Sequence, residues 1–375
     1  MSSSERTPGR FARIYRGLTT FDFVGRRRLW FSISAVIIVL GIGSLSVRGF
    51  NLGIDFKGGS SWEVLAPHTS VSRMTQVVTG AGLKQPIVQK LGSDTYQVTA
   101  DLNSLSANQQ LKITNDVVNV MAKLAGVSAN QVSTSSVGPT WGGQITQRAV
   151  EALIIFFIAV VAYISMRFEP KMALAAFAAM VHDLLVTVGV YSIFGFQITP
   201  DTVIAILTIL GYSLYDTVVV FDRVRDNTGT VLKSGDLSYA DMVNLSMNQT
   251  LARSINTSLV AILPVFSVLT VGAYILGATT LENYGLALVV GLLSGAYSSI
   301  FIASPLLSML KEREPRFREL AERVAARAER VTLSPAAAAA LSGESTNRPG
   351  RASRPGVLPG AAATLQARGR KQKRR

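Results

Sequence analysis

The sequence predicts a membrane protein, a six-helix α-helical transmembrane bundle with a small α+β ferredoxin-like extracytoplasmic domain. Three observations carry this expectation. Apolar residues make up 48% of the 375-residue chain and charged residues only 16%, and the mean hydropathy is +0.33. The apolar residues gather in runs of roughly 18 or more, the length that crosses a hydrocarbon core. One polar stretch, residues 48–147, interrupts the runs with alternating strand-like and helix-like patterns.

The elements follow in order. Residues 1–28 form a polar N-terminus that ends in "GRRRLW". The apolar run behind it is longer than the core of a cleavable signal, so it is expected to stay as the first transmembrane helix, residues 29–47. In residues 48–147, "SSWEVLA" alternates like a strand, and "SVSRMTQVVTGAG" opens on a serine cap and closes on glycine, as helices do. "PIVQKLG" and "TYQVTAD" read as two strands around a tight turn. "SANQQLKITNDVVNVMAKLAG" is helical, with Leu111, Val117, Val118 and Met121 expected near one face, and "QVSTSSVG" is a last strand. The order βαββαβ is the ferredoxin-like one. Residues 148–310 hold helices two to six, near 149–166, 172–196, 203–221, 255–274 and 284–310. Pro264 is expected to kink the fifth. Residues 311–375 form a basic, largely disordered tail, rich in alanine, proline and glycine and without an apolar pattern.

Lysine and arginine set the orientation. Arg26, Arg27, Arg28, Arg167, Lys171, Arg223, Arg225, Lys233, Arg253 and Lys311 all fall on one side of the six spans. The connections "GFQITPDT" and "GATTLEN" carry neither residue. Both termini are therefore expected in the cytoplasm of a multi-pass plasma-membrane protein. The net charge of +14 is concentrated toward "RGRKQKRR" at the end. That tail is read as a partner for anionic membrane lipid, and no nucleic acid is expected.

Several functions are excluded by what is missing. There is no cysteine and there are only two histidines, so no disulfide, metal site or cofactor is expected. No GxxxxGK[ST] phosphate loop and no HExxH pair occurs, and an enzyme is not expected. Intramembrane aspartyl proteases share a "YD" on a span, here Tyr215-Asp216. They need a second aspartate in a GxGD context, where this chain has only "SGD" in a polar loop.

Ionisable residues inside spans are expensive in hydrocarbon and mark function by default. Asp216 in the fourth span, within "GYSLYDTVVVFDRVRDN", is the sharpest case. It lies about 9 Å inward from Asp222 at helical rise. Arg253, at the start of the fifth span, has a stem long enough to reach it. Such a pair either couples to protons or forms a fixed bridge between helices, and a buried bridge by itself adds little stability. His182 and Asp183, in "AAMVHDLLVT", are either a relay for protons or a packing element. "GLLSG", Gly291 to Gly295, matches a close-packing pattern between helices. In "GIDFKGG", Gly53, Asp55, Gly58 and Gly59 read as a hinge where the first span meets the polar domain, with Asp55 bonding backbone amides of the turn.

Together, "NLGIDFKGGSSWEV", "VGPTWGG" and "GYSLYDTVVVFDRVRDN" resemble the SecF family of the bacterial SecD–SecF protein-export complex, over roughly residues 20–312. The family belongs to the resistance–nodulation–division superfamily, whose other members export lipids or drugs on ion gradients. The resemblance implies a pairing with SecD, association with the SecYEG channel and often YajC, and action on a translocating preprotein after the SecA ATPase. It implies use of the proton-motive force, with Asp216 and Arg253 at the family's functional aspartate and arginine. An asparagine precedes that aspartate in many relatives; Tyr215 stands there in this chain. The alternatives are half of another proton-driven transporter of the same superfamily, exporting lipid or drug, and a purely structural role in stabilising the channel.

Overall fold

A computed structural model describes residues 19–92, 94–275 and 279–332. The disorder expected beyond residue 332 lies outside the described residues. Six helices are long and apolar enough to span a membrane. They are α1 (Arg27–Arg48), α5 (Pro139–Arg167), α6 (Pro170–Phe194), α7 (Pro200–Ser234), α8 (Tyr239–Ser267) and α9 (Thr279–Ser298). A π-type turn, Val268–Ile275, follows α8, and a second, Ser299–Ala303, joins α9 to α10 (Ser304–Lys311). The first π turn begins four residues past Pro264, where the missing proline N–H has already loosened the ladder. Proline opens α5, α6 and α7, where its lost N–H is one that no helix can use.

The helices outrun the hydrophobic runs. α5 starts at Pro139 rather than near residue 149, α8 starts at Tyr239 rather than near 255, and α7 continues to Ser234. Their ends are polar and project past the hydrocarbon, so hydropathy does not register them. The centre of the bundle is α6, α7 and α9. Their apolar windows are 56%, 39% and 56% buried, against 11% for α1, α5 and α8. Small residues make this possible. Ala175, Ala176 and Ala179 line the buried side of α6, and Gly41 of α1 meets Gly189 of α6 backbone to backbone.

The polar domain is β1 (Gly59–Leu65), α3 (Val71–Gly80), β2 (Ile87–Leu91), β3 (Thr95–Ala100), α4 (Ala107–Ala125) and β4 (Ser133–Val137). The strands lie in the order β2-β3-β1-β4, all antiparallel, as a ferredoxin-like sheet requires. Both helices cover one sheet face. Trp62, Val64, Tyr96 and Val98 point into that core and meet Met74, Val78, Val117 and Met121. Leu111 is 64% exposed and does not belong to it. Six residues separate it from Val117, about 240° around the helix, which turns it to the other side.

The domain sits on one end of the bundle. A short helix, α2 (Ile54–Lys57), links it to α1. The strand-like segment before α2 pairs with the α6–α7 connection: Ile198 N–H donates to Asn51 O and Gly53 N–H to Ile198 O, both at 2.8 Å. Gly58 and Gly59 then turn the chain into β1 at φ of 77° and 123°, which only glycine adopts freely. A Cβ on Gly59 would also lie 2.7 Å from Ala100 O. The turn is held by backbone, Gly58 N–H to Ile54 O at 2.7 Å, and Asp55, which bonds its own backbone N–H, also faces a cavity.

At the opposite end the chain continues as α11 (Pro315–Thr332), which begins inside the expected tail. Phe317 and Leu320 bury one face of it against Tyr239 and its neighbours, and Val324 packs beside them. The spacing of three and four is helical, and only the surrounding arginines mask it. Lys311 is 2% exposed and is paired with Glu169 and Glu314.

Candidate functional site

The centre of the bundle holds a polar layer built from four helices. Asp183, 1% exposed, is its hub. Ser213 Oγ on α7 donates to Asp183 Oδ2 at 2.6 Å, and Ser298 Oγ on α9 donates to the same oxygen at 2.8 Å. Ser294 Oγ donates to Oδ1 at 2.8 Å. His182 Nδ1 lies 3.2 Å from Oδ1. The other ring nitrogen, Nε2, is 3.0 Å from Ser34 Oγ on α1, and that hydroxyl reaches Tyr297 Oη at 3.3 Å. Tyr297 in turn donates to Trp30 O at 2.9 Å. The layer therefore ties α1, α6, α7 and α9 together. The partners that sequence could not supply for Asp183 are serines, which read as small packing residues in an apolar run.

Asp216 has the opposite surroundings. It is 2% exposed, three residues along α7 from Ser213, so the two share a face. Neither carboxylate oxygen has a hydrogen-bond partner. Ser254 of α8, 1% exposed, comes alongside it, close enough to interact with the carboxylate but short of hydrogen-bonding geometry. Buried polar groups in folded proteins are almost always bonded. Asp216 Oδ1 and Oδ2 and Ser254 Oγ are three such exceptions side by side among the described residues.

The expected partner is elsewhere. Arg253 is exposed and forms no ion pair with Asp216. It lines a cavity of about 290 Å³ between α7 and α8 with Asp222, Arg223, Asp226 and Gln249. One residue of helix, about 100°, separates its direction from that of Ser254. Asp222 is not paired with its neighbour Arg223 either. It takes Arg225 at 2.8 Å and Arg167 at 3.6 Å, and Arg223 Nε donates to Gln249 at 2.6 Å. Tyr215 is 56% exposed and points away from the polar layer.

Two close approaches fix this geometry. A Cβ on Gly291 would fall 2.2 Å from Ile209, and one on Gly295 would fall 2.8 Å from Ser213 Cβ. The "GLLSG" pattern is thus part of the α9 surface against which α7 lies; it carries Ser294 to Asp183, and Ser298 follows one turn on.

The sequence matches the family described as protein export membrane protein SecD/SecF, C-terminal, over residues 117–313, which contain the whole polar layer of α6, α7 and α9. Residues 43–64 match the SecD/SecF GG motif. The protein translocase subunit SecF of Streptomyces coelicolor is 44% identical over 319 residues, covering 84% of this chain and 83% of that one. The chain belongs to the SecF family. SecF of Mycobacterium tuberculosis is 41% identical over 348 residues, with 91% of this chain and 78% of that one covered. The crystal structure of SecDF from Thermus thermophilus has a TM-score of 0.69 at 30% identity and covers 79% of this chain. Only 39% of that SecDF chain is matched. The chain is therefore a multi-pass bacterial membrane protein of the Sec protein-transport pathway, and the SecF match spans both its bundle and its polar domain.

Proposed function

We propose that this subunit uses the proton-motive force, together with a SecD chain, to drive late steps of preprotein export across the plasma membrane. The observation that carries the reading is Asp216, a buried carboxylate left without a partner beside a fully bonded one. A group that must change its protonation in a cycle cannot be locked by fixed hydrogen bonds, and Asp216, one turn from the layer, is not locked in this way. Arg253 acts with it from the neighbouring helix and closes on it when α7 and α8 shift. The path Tyr297–Ser34–His182–Asp183–Ser213 ends one helical turn from Asp216 and serves as the relay. Gly53, Asp55, Gly58 and Gly59 serve as the hinge that passes motion to the polar domain.

SecD is the proposed direct partner. The likeness to SecDF chains supports this: the chain matches 39% of the Thermus thermophilus protein and 38% of the Bacillus subtilis one. Arg253 and Tyr215 lie exposed on the α7–α8 face. That face suits SecD. SecYEG, YajC, SecA and the emerging preprotein are the further partners implied by membership. Both termini are assigned to the cytoplasm, supported by the basic residues gathered at one end, where Arg27 meets Glu312 and Arg167 meets Asp222. The role is mechanical, and the chain carries no enzymatic reaction of its own.

The test is Asp216→Asn in a strain that depends on this protein, with preprotein export measured with and without a proton gradient. Assembly with SecD and loss of the gradient's stimulation are expected. Normal, gradient-stimulated export in the variant would remove Asp216 from the coupling. Exchanging Asp216 and Arg253 for one another then asks whether the two act as a pair.

A further inference from the structure

The junction between the polar domain and the bundle encloses a cavity of about 220 Å³, separate from the proton-coupling layer. Its roof is the sheet face that α3 and α4 leave open. On that face Ser61 is in register with Thr99 and Ser135, and Glu63 with Gln97. Its wall is the hinge helix α2, with Asp55, and its floor is the start of α7, with Thr199 and Asp201, and Asn283 of α9.

The lining chemistry is one-sided. Three carboxylates, Asp55, Glu63 and Asp201, face the cavity, and the other polar groups are hydroxyls and amides. No lysine, arginine or histidine lines it, and neither Asp55 nor Asp201 forms an ion pair among the described residues. A second observation is independent of the carboxylates. Ser61 is 7% exposed and lines the cavity, yet its Oγ has no hydrogen-bond partner, and neither does Oε1 of Gln97 across the strand. A buried oxygen left unbonded costs about as much as a lost hydrogen bond unless something fills the space it faces. The surrounding charge defines what that is. Asp55 and Asp201 face it without any cation beside them among the described residues.

We infer that this cavity binds a divalent cation of the hard, oxygen-seeking class, Ca²⁺ foremost, and that the ion fastens the polar domain to the bundle. Oxygen-only donors from carboxylate, hydroxyl and amide groups are the set such ions take. No three acidic side chains among the described residues are placed to hold an ion by themselves. The ion therefore keeps part of its water shell, with Asp55 and Asp201 as its charged ligands and Ser61, Gln97, Thr199 and Asn283 completing its surroundings. Asp55 belongs to the hinge helix and Asp201 to the first turn of α7, so occupancy links the moving joint to the helix that carries Asp216. The inference stands whether or not Asp216 couples to protons.

Terbium is the probe, with the full chain in detergent and emission sensitised through tryptophan; Trp62 lies in β1 between Ser61 and Glu63. Saturable emission that Ca²⁺ displaces is expected, with a Kd on the order of 10⁻⁴ to 10⁻³ M, as in extracellular modules. Asp55→Asn and Asp201→Asn should each weaken Ca²⁺ at least about tenfold, since affinity follows ligand charge. Ser61→Ala removes an oxygen with no protein partner and so should fold normally; it should weaken Ca²⁺ roughly threefold. Emission that Ca²⁺ does not displace, or affinity unchanged in Ser61→Ala and in whichever carboxyl variants fold, overturns the site. The cysteine-free chain also accepts spin labels at Leu111→Cys on the domain and Phe194→Cys on the bundle, 64% and 69% exposed. Ca²⁺ should narrow the distance between them. An unchanged distribution would overturn the fastening.

Discussion

Gly295 on α9 faces Ser213 on α7 so closely that a methyl group on the glycine would sit 2.8 Å from the serine Cβ. The contact lets the same serine reach Asp183 while Ser294 and Ser298 reach it from the other helix. Gly295→Ala should therefore push α7 from α9 and lower stability by about 1–3 kcal/mol, the range for overpacked cores. Gly211→Ala, on α7 with nothing within 4 Å of its added Cβ, is the control and should be neutral or slightly stabilising. Thermal unfolding of both variants in detergent checks this.

Asp183 should behave as a structural hub whatever its place in proton movement. Asp183→Ala leaves three buried serine hydroxyls without their acceptor and should cost about 3 kcal/mol. Asp183→Asn keeps one accepting oxygen and should cost about 1 kcal/mol. The ordering of the two variants in denaturant unfolding is the measurement. Equal losses would mean that the hydroxyls find other acceptors.

Asp216 should show the reverse. No donor sits in hydrogen-bonding geometry on its oxygens, so Asp216→Asn strands no buried donor. The variant should be as stable as the parent or more so, by about 1 kcal/mol, while losing gradient-stimulated export. A large loss of stability would mean that a partner holds the carboxylate, and the export result would then reflect folding.

How much of this was legible beforehand depends on which physical signal each feature leaves. Spans and the order of the domain's elements follow from hydropathy and alternation, both of which are local in sequence. The polar layer is not local: Asp183 was visible, yet Ser213, Ser294 and Ser298 are unremarkable until helix packing brings them together. The reach of Arg253 was read from the length of its stem, and the helix rotation that turns Ser254 inward instead was not readable. α8 and α11 were shortened or missed because their ends are amphipathic rather than apolar, as Phe317 and Leu320 among arginines show. The "GLLSG" pattern, common in apolar segments, acquires its meaning only from what lies across from it.

Acid should strengthen one end of the protein and weaken the other. Asp55 is raised by burial and by Asp201. As the pH falls, the folded state takes that proton before the unfolded chain does. Its contribution to stability is thus full below the ordinary carboxylate value and is lost as pH rises through the folded value. Glu314, beyond the last span, runs the other way. Burial raises it, but Lys171, Arg316 and Lys311 outweigh that and hold it below its usual value. Its contribution is present above the ordinary value and is lost as pH falls through the folded one. Between about pH 3 and pH 7, and in chelator so that the junction cavity holds no divalent ion, Asp55→Asn should remove a gain at low pH, and Glu314→Gln should remove a loss there. Unfolding midpoints of the two variants against the parent, measured across that range, should bend in opposite directions. Parallel profiles would mean that the two carboxyls do not control the acid response at their ends.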